Sequence, residues 1–294
     1  MQTINRDAAY WAGKQQQLDE DGYTVIESLV PAEVCQASID AICEFMNVDQ
    51  NDRRTWYKDH PINTSGTVPM HHHPAFWQLR QEPGIYDAFR RFLGEDDLWV
   101  SMDRASFKPP CRYDLPQYGS DRNRMHWDYD FRNQPHKVYQ GLVYLTDTKK
   151  EQGAFCCLPE IYRQMADKSF GFERLEKFSV NGLYLEDVHA FGDDQLTRVD
   201  APAGSLVIFD SRLPHGNVPS HFVEPRFAQF VTMYKADSTE HVPAVLYQTR
   251  EERIECYTKC VPPGWLRGWN GQKEVEPFVP APLTALGRRL VGLD

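Results

Sequence analysis

His126 and Asp128 stand two residues apart in the run Arg124-Met125-His126-Trp127-Asp128. Side chains alternate faces along a β-strand, so residues at i and i+2 point the same way. On a strand, an imidazole and a carboxylate would stand side by side, able to grip one metal ion. Such a pair needs a third ligand. The chain offers His215, in the run Pro214-His215-Gly216-Asn217 that follows a β-branched and aromatic segment opened by Gly204. Two histidines and one carboxylate that leave other coordination positions open suit Fe(II) with exchangeable ligands.

The next predicted strand opens on Arg226, which shares a face with Ala228, Phe230 and Thr232. Most arginines are surface ion-pair partners, but the joint spacing with His215 argues for a pocket position. A guanidinium fork there fits a carboxylate bidentately. A dicarboxylic or keto-acid cosubstrate would chelate the metal at one end and be clamped by Arg226 at the other.

These residues need strands to hold them, and the patterning supplies them. The N-terminal third reads as helical: a helix over 8–20, a short strand from Tyr23, a helix opened by Pro31, a loop over 47–70, and one helix from Ala75 to Leu93. Strand character begins near Leu98 and runs to Lys108, where Pro109 and Pro110 end it. Residues 111–124 read as a long irregular loop, a form that is often functional. Further strands follow at His126, Val138, Gly153, Ser205 and Arg226, interrupted by a partly helical insert at 160–200. A charged helix over Thr249–Lys259 precedes a Pro/Gly/Trp-rich tail that wraps the surface. Many short strands with turns between them predict a mainly β sandwich or jelly roll.

The 294 residues show no internal repeat and no linker, so a single domain over 1–294 is expected: a helical cover over 1–97, a β core over 98–235, and a C-terminal wrap over 236–294. A net charge of −10 argues against general nucleic-acid or anionic-membrane binding. No apolar run approaches the roughly 20 residues that span a bilayer. Seven cysteines, an odd number, together with a polar N-terminus, favour reduced thiols and a cytoplasmic protein. Cys256 and Cys260 lack two further ligands at zinc-site spacing.

The chain resembles the phytanoyl-CoA dioxygenase family of Fe(II)/2-oxoglutarate oxygenases. The resemblance runs from Glu20-Asp21-Gly22-Tyr23-Thr24-Val25-Ile26 to Pro225-Arg226-Phe227. It includes His126-Trp127-Asp128, Gln140-Gly141-Leu142-Val143-Tyr144-Leu145, Gly153-Ala154-Phe155-Cys156-Cys157-Leu158-Pro159 and Pro214-His215-Gly216-Asn217. It implies a double-stranded β-helix, the cupin-like jelly roll, with flanking helices. It also implies iron on His126, Asp128 and His215, with Arg226 holding the far carboxylate of 2-oxoglutarate. By the same likeness, Tyr144 and Gln140, on one strand face, and Asn217, two residues after His215, are candidate cosubstrate contacts, with Lys108 as a further one. The stretch Pro159-Glu160-Ile161-Tyr162-Arg163 departs from the family pattern at a loop tip that carries no metal ligand.

Halogenases of related architecture replace the metal carboxylate with a small residue. Asp128 is present here, which favours oxygenation. The implied reaction consumes O2 and 2-oxoglutarate, yields succinate and CO2, and removes a hydrogen from a small-molecule substrate. His73, Trp77 and Arg80, in the segment that covers the barrel mouth in this family, are candidate substrate contacts. So is Arg124, with Arg112, Tyr113, Tyr118 and Arg122 in the loop before the motif. A solvated loop with a chance histidine run explains these residues as readily. The rival reading from another class is a cupin-like metal-dependent ligand-binding protein or isomerase, with no use for 2-oxoglutarate or Arg226.

Overall fold

The structure is a computed structural model. It describes residues 6–57, 66–115, 118, 125–128, 138–171, 195–238, 248–267 and 275–294, and the backbone alone of 175–177 and 183–185. The N-terminal part alternates helices with single strands. Helix α1 (Ala8–Asp21) is capped by the Asp7 carboxylate, which accepts from Tyr10 N, and ends at Gly22 in the left-handed conformation. Strand β1 (Tyr23–Ile26) follows, then α2 (Ala32–Met46), placed after Pro31 as the sequence predicts. The segment expected as loop over 47–70 contributes a short strand, β2 (Thr67–Val68).

The single helix expected over Ala75–Leu93 is two, α3 (Pro74–Arg80) and α4 (Pro83–Leu93). Pro83 has no amide hydrogen to give the preceding turn, and its ring obstructs a continuing helix, so it opens a new one. The strand expected over 98–108 also divides, into β3 (Leu98–Val100) and β4 (Ala105–Lys108).

The remaining strands are β5 (His126–Trp127), β6 (Tyr139–Tyr144), β7 (Phe155–Cys157), β8 (Leu175–Lys177), β9 (Leu183–Leu185), β10 (Thr197–Val199), β11 (Leu206–Asp210), β12 (His215–Asn217), β13 (Arg226–Phe230) and β14 (Met233–Lys235). Among the described residues they form two six-stranded antiparallel sheets. The major sheet runs β1-β11-β6-β13-β4-β2 and the minor sheet β10-β7-β12-β5-β9-β8, while β14 pairs with β3. The segment at 160–200, expected as a partly helical insert, holds helix α5 (Pro159–Ala166) and supplies β8, β9 and β10 to the minor sheet. Helix α6 (Arg250–Lys259) carries the Thr249/Glu252 capping box, and α7 (Ala285–Val291) closes the tail. The fold is mainly antiparallel β with flanking helices, as the strand pattern predicts.

The two sheets pack face to face. Leu142, Tyr144, Val207, Phe209 and Ala228 of the major sheet meet Phe155, Cys157 and Val199 of the minor sheet in one buried cluster. The outer face of the major sheet, through Val143, Ile208 and Phe227, packs on α2, α3 and α4. The outer face of the minor sheet, through Trp127 and Cys156, is covered by Ile161 of α5 and by Phe170. Alternation along each strand thus sorts residues between an inner space and two outer cores. Gly204 makes the turn into β11. Its φ is +78°, and a Cβ there would lie 2.3 Å from Val30 O. Leu29 N and Val30 N both donate to Gly204 O.

Candidate metal centre

Strand β5 is two residues long, and its alternation sends His126 and Asp128 to the inner face with Trp127 outward, as the His-x-Asp spacing predicts. His215 opens β12 and pairs directly with His126 across the strands. The imidazole centroids are 4.7 Å apart. His126 Nε2 lies 3.5 Å from Asp128 Oδ1, and His215 Nε2 lies 3.4 Å from Asp128 Oδ2. One donor atom from each of the three residues falls within 4.8 Å of the others. Two nitrogens and one oxygen converging in this way match the donor set of a metal held on one face.

The surroundings orient two of the three ligands, His215 and Asp128. His215 Nδ1 donates to Leu213 O at 3.0 Å, so Nε2 is the ring nitrogen turned toward Asp128 and the metal position. Phe155 stacks on the His215 ring at 5.8 Å, and the Phe209 ring stands 4.5 Å away. Asp128 sits in a recess, crowded by protein yet 44 % exposed at its side chain. Desolvation there works to raise its pKa. The hydrogen bonds with His126 and His215 outweigh it and hold the carboxyl well below the usual carboxylate range. Gln140 Nε2 also donates to Asp128 Oδ2, at 2.7 Å. Gln140, expected as a cosubstrate contact, is therefore engaged with a metal ligand through its amide nitrogen. Its Oε1 is buried without a partner.

A second polar group lies further along the same inner face. Arg226 is 1 % exposed. Its Nη2 donates to Ser106 Oγ at 3.0 Å, while Nε and Nη1 have no partner. Lys108 pairs with Arg226 across β4 and β13, and its buried Nζ is also without a partner. Gly153, at φ +67°, leaves room for the lysine stem: a Cβ there would lie 2.7 Å from Lys108 Cδ. Desolvation, then the Arg226 charge, pushes the Lys108 pKa down to about 7. Ser106 was not anticipated as part of this group. Its place two residues from Lys108 puts it on the same face, but only the β4–β13 pairing brings it to Arg226.

The other expected residues divide. Tyr144 faces the same space, but its hydroxyl donates to Val199 O at 2.8 Å and accepts from Phe155 N at 2.9 Å. That hydroxyl pegs the two sheets together, so only the ring is left to face a ligand. Asn217 shares the inner face with His215 by alternation.

His73, Trp77 and Arg80, expected as substrate contacts, are placed in core and capping contacts away from the metal residues. Trp77 is buried in the core on the outer face of the major sheet, across the sheet from the metal residues. Arg80 is fully buried over the Trp77 ring and donates to His71 O and Asp103 O. His73 caps α3, accepting from Ala75 N, and packs edge-on against Phe278. Burial, helped by Arg80 and His71, pushes the neighbouring His72 down to about 3, so its imidazole stays neutral and is no anion clamp. Arg122 and Arg124 lie outside the described residues. Among the described residues no helix is long and apolar enough to cross a membrane.

Known proteins resemble this chain in sequence or in fold. A Dictyostelium discoideum protein carrying the phytanoyl-CoA dioxygenase name is 23% identical over 93% of this chain and 84% of its own length. GlcNAc Inducible Gene 2 of Candida albicans superposes with a TM-score of 0.70 at 13% identity, over 95% of this chain and 76% of that one. SnoN of nogalamycin biosynthesis, described as an epimerase in complex with Fe3+, alpha ketoglutarate and nogalamycin RO, superposes with a TM-score of 0.53 at 13% identity, over 95% and 97% of the two chains. Residues 18–221, which hold β1, all three metal-ligand candidates and both central sheets up to β12, match the phytanoyl-CoA dioxygenase (PhyH) family, and the chain belongs to that family.

Proposed function

We propose that this chain is an Fe(II)- and 2-oxoglutarate-dependent dioxygenase that oxidises a small molecule at a C–H bond. In the balanced reaction O2 is consumed, 2-oxoglutarate becomes succinate and CO2, and one oxygen atom enters the substrate. The observation that carries the reading is the pair of buried basic residues, Arg226 and Lys108, whose Nε and Nη1 (Arg226) and Nζ (Lys108) have no partner in the space that also holds the two-histidine, one-carboxylate cluster. Unpaired buried charge is costly, and a dianionic ligand would relieve it. The Arg226–Ser106 bond draws the guanidinium toward the level of Tyr144, because Ser106 pairs with Ala228 and Ala228 with Tyr144. Tyr144 and Gln140 are four residues apart on one strand, about 13 Å. A five-carbon diacid that chelates a metal at one end and meets an arginine at the other suits that interval.

His126, Asp128 and His215 would hold the iron, which when bound supplies O2 activation and hydrogen removal. The rest is the work of the chain. Leu213 O fixes the His215 tautomer by accepting the Nδ1 proton, so that Nε2 faces the metal. Gln140 steadies the Asp128 carboxylate. Arg226 and Lys108 neutralise the far carboxylate. Phe155 and Phe209 wall one side of His215 and exclude water there.

Anaerobically reconstituted Fe(II) protein, exposed to O2 and 2-oxoglutarate with and without a pooled metabolite extract, tests this by succinate formation. Extract-stimulated succinate is the expected result. Iron-loaded protein that forms no succinate in either case overturns it in favour of a cupin-like binding protein or isomerase. SnoN's description as an epimerase supports a second outcome for the same machinery: hydrogen removal without oxygen insertion. Isotopic oxygen in the product from labelled O2 separates hydroxylation from epimerisation.

A further inference from the structure

We propose that Trp127 and the turn at Asp210–Leu213 act as a clamp that fixes the angle between the two metal-bearing strands, Trp127 being a positioning residue for His126 and Asp128. This rests on the reading of His126, Asp128 and His215 as a metal site. Strands β5 and β12 share a single register pair, His126 with His215. One pair aligns two strands weakly, and a small rotation of β5 would swing both of its ligands. A second tie exists on the opposite face. Because His126 and Asp128 point inward, Trp127 must point outward, where it is fully buried. Its Nε1 donates to Arg212 O at 2.8 Å. One residue later, Leu213 O accepts from His215 Nδ1. Two consecutive carbonyls of one turn therefore hold both halves of the site: one through the residue between two ligands, the other through the third ligand itself.

The turn is built to stay in place. Asp210, fully buried, accepts from Arg212 N and Nε at Oδ1, each at 2.9 Å, and from Arg212 Nη2 at Oδ2. Tyr162 Oη, from α5, donates to the same Oδ2 at 3.1 Å. Ser211 N donates to Val138 O and Leu213 N to Asp210 O. A bidentate ion pair within a tight turn, anchored by a neighbouring helix, is a rigid mount for the two carbonyls. Outer hydrogen bonds of this kind orient metal ligands, and their loss typically costs roughly 10- to 100-fold in metal affinity.

The test uses Co(II) as the metal probe on the full chain and compares wild type, Trp127→Phe and Phe170→Leu. Phe replaces the indole with a buried ring that lacks the N–H. Phe170 packs edge-on against Trp127 at 6.2 Å, and its variant loosens the same cluster without touching the hydrogen bond. Trp127→Phe is expected to weaken Co(II) binding by about tenfold or more and to alter the visible d–d bands of the bound ion. Phe170→Leu is expected to lower the thermal midpoint of the metal-free protein as much or more, and to keep wild-type affinity and spectrum. Wild-type affinity and spectrum in Trp127→Phe overturn the clamp, and so does an equal loss of affinity in Phe170→Leu. Should Trp127→Phe fail to fold, Tyr162→Phe decides: a loss of about threefold or more supports the clamp, and unchanged binding overturns it. Failure of the wild type itself to bind Co(II) marks the metal reading, and the clamp with it, as wrong.

Discussion

Lys108 and Arg226 pair directly across β4 and β13, and both carry buried nitrogens with no partner. In the ligand-free protein, desolvation and the Arg226 charge hold Lys108 near a pKa of about 7, with the Cys156 and Cys111 thiols its other titratable neighbours. A dianion bound between the two cations would raise that value, so binding takes up a proton. The sign follows: affinity for 2-oxoglutarate is highest below pH 7 and falls as pH rises, by about fivefold between pH 7 and pH 8. Titration calorimetry across this range checks it, and Lys108→Met should flatten the profile. The same depressed pKa means that the unfolded chain binds more protons between about pH 7 and the ordinary lysine value. Stability of the ligand-free protein should therefore rise with pH across that window, as far as Lys108 governs it.

Arg226→Ala removes the only bidentate carboxylate partner assigned to the site and leaves Ser106 Oγ without its donor. The Michaelis constant for 2-oxoglutarate should rise by about 100-fold or more, while Co(II) affinity stays near wild type because the guanidinium is not a ligand. Steady-state kinetics with varied 2-oxoglutarate, alongside metal titration, measures both. Unchanged kinetics would remove the diacid from the proposal and favour the cupin-like reading.

The metal site was legible because its logic is local. A two-residue alternation places His126 and Asp128 together whatever the rest of the chain does, and Pro214 sets up a turn before His215. The capping box at Thr249 and the Asp-Gly end of α1 are local signals of the same kind. What stayed hidden depends on pairing and packing. Ser106 reaches Arg226 only because β4 lies beside β13, a neighbour relation between strands more than 100 residues apart in sequence. Trp77 and Arg80 look like binding residues because cations and aromatics often are. Tertiary packing instead stacks the guanidinium on the indole and spends its N–H groups on His71 O and Asp103 O. The three short strands between 160 and 200 carry too little periodicity to separate them from a helical insert.

Gln140→Leu keeps size and strand position but deletes the donor to Asp128 Oδ2. The carboxylate then has one restraint fewer and samples more rotamers, and metal affinity should fall by roughly 10-fold. Asp128→Ala should abolish measurable turnover altogether. Full activity in that variant, assayed by succinate formation, is incompatible with the ligand assignment.

Glu276 anchors the C-terminal tail far from this chemistry. It is 2 % exposed, and its two carboxylate oxygens accept from His71 N and His72 N, each at 2.7 Å. The segment so held packs with Met70 and Trp77 in the core on the outer face of the major sheet, while the metal residues occupy the inner face. Glu276→Gln replaces one acceptor with an amide that faces a backbone donor, so one N–H loses its partner and the other keeps only a neutral one. Hydrogen bonds to a charged acceptor contribute about 1.5–3 kcal/mol each, and a loss of about 2–3 kcal/mol in unfolding free energy is expected. Urea unfolding measures it. Because the contact lies across the sheet from His126, Asp128 and His215, Co(II) affinity of the folded variant should match wild type. A variant that loses metal affinity while keeping its stability would show instead that the tail is coupled to the inner face.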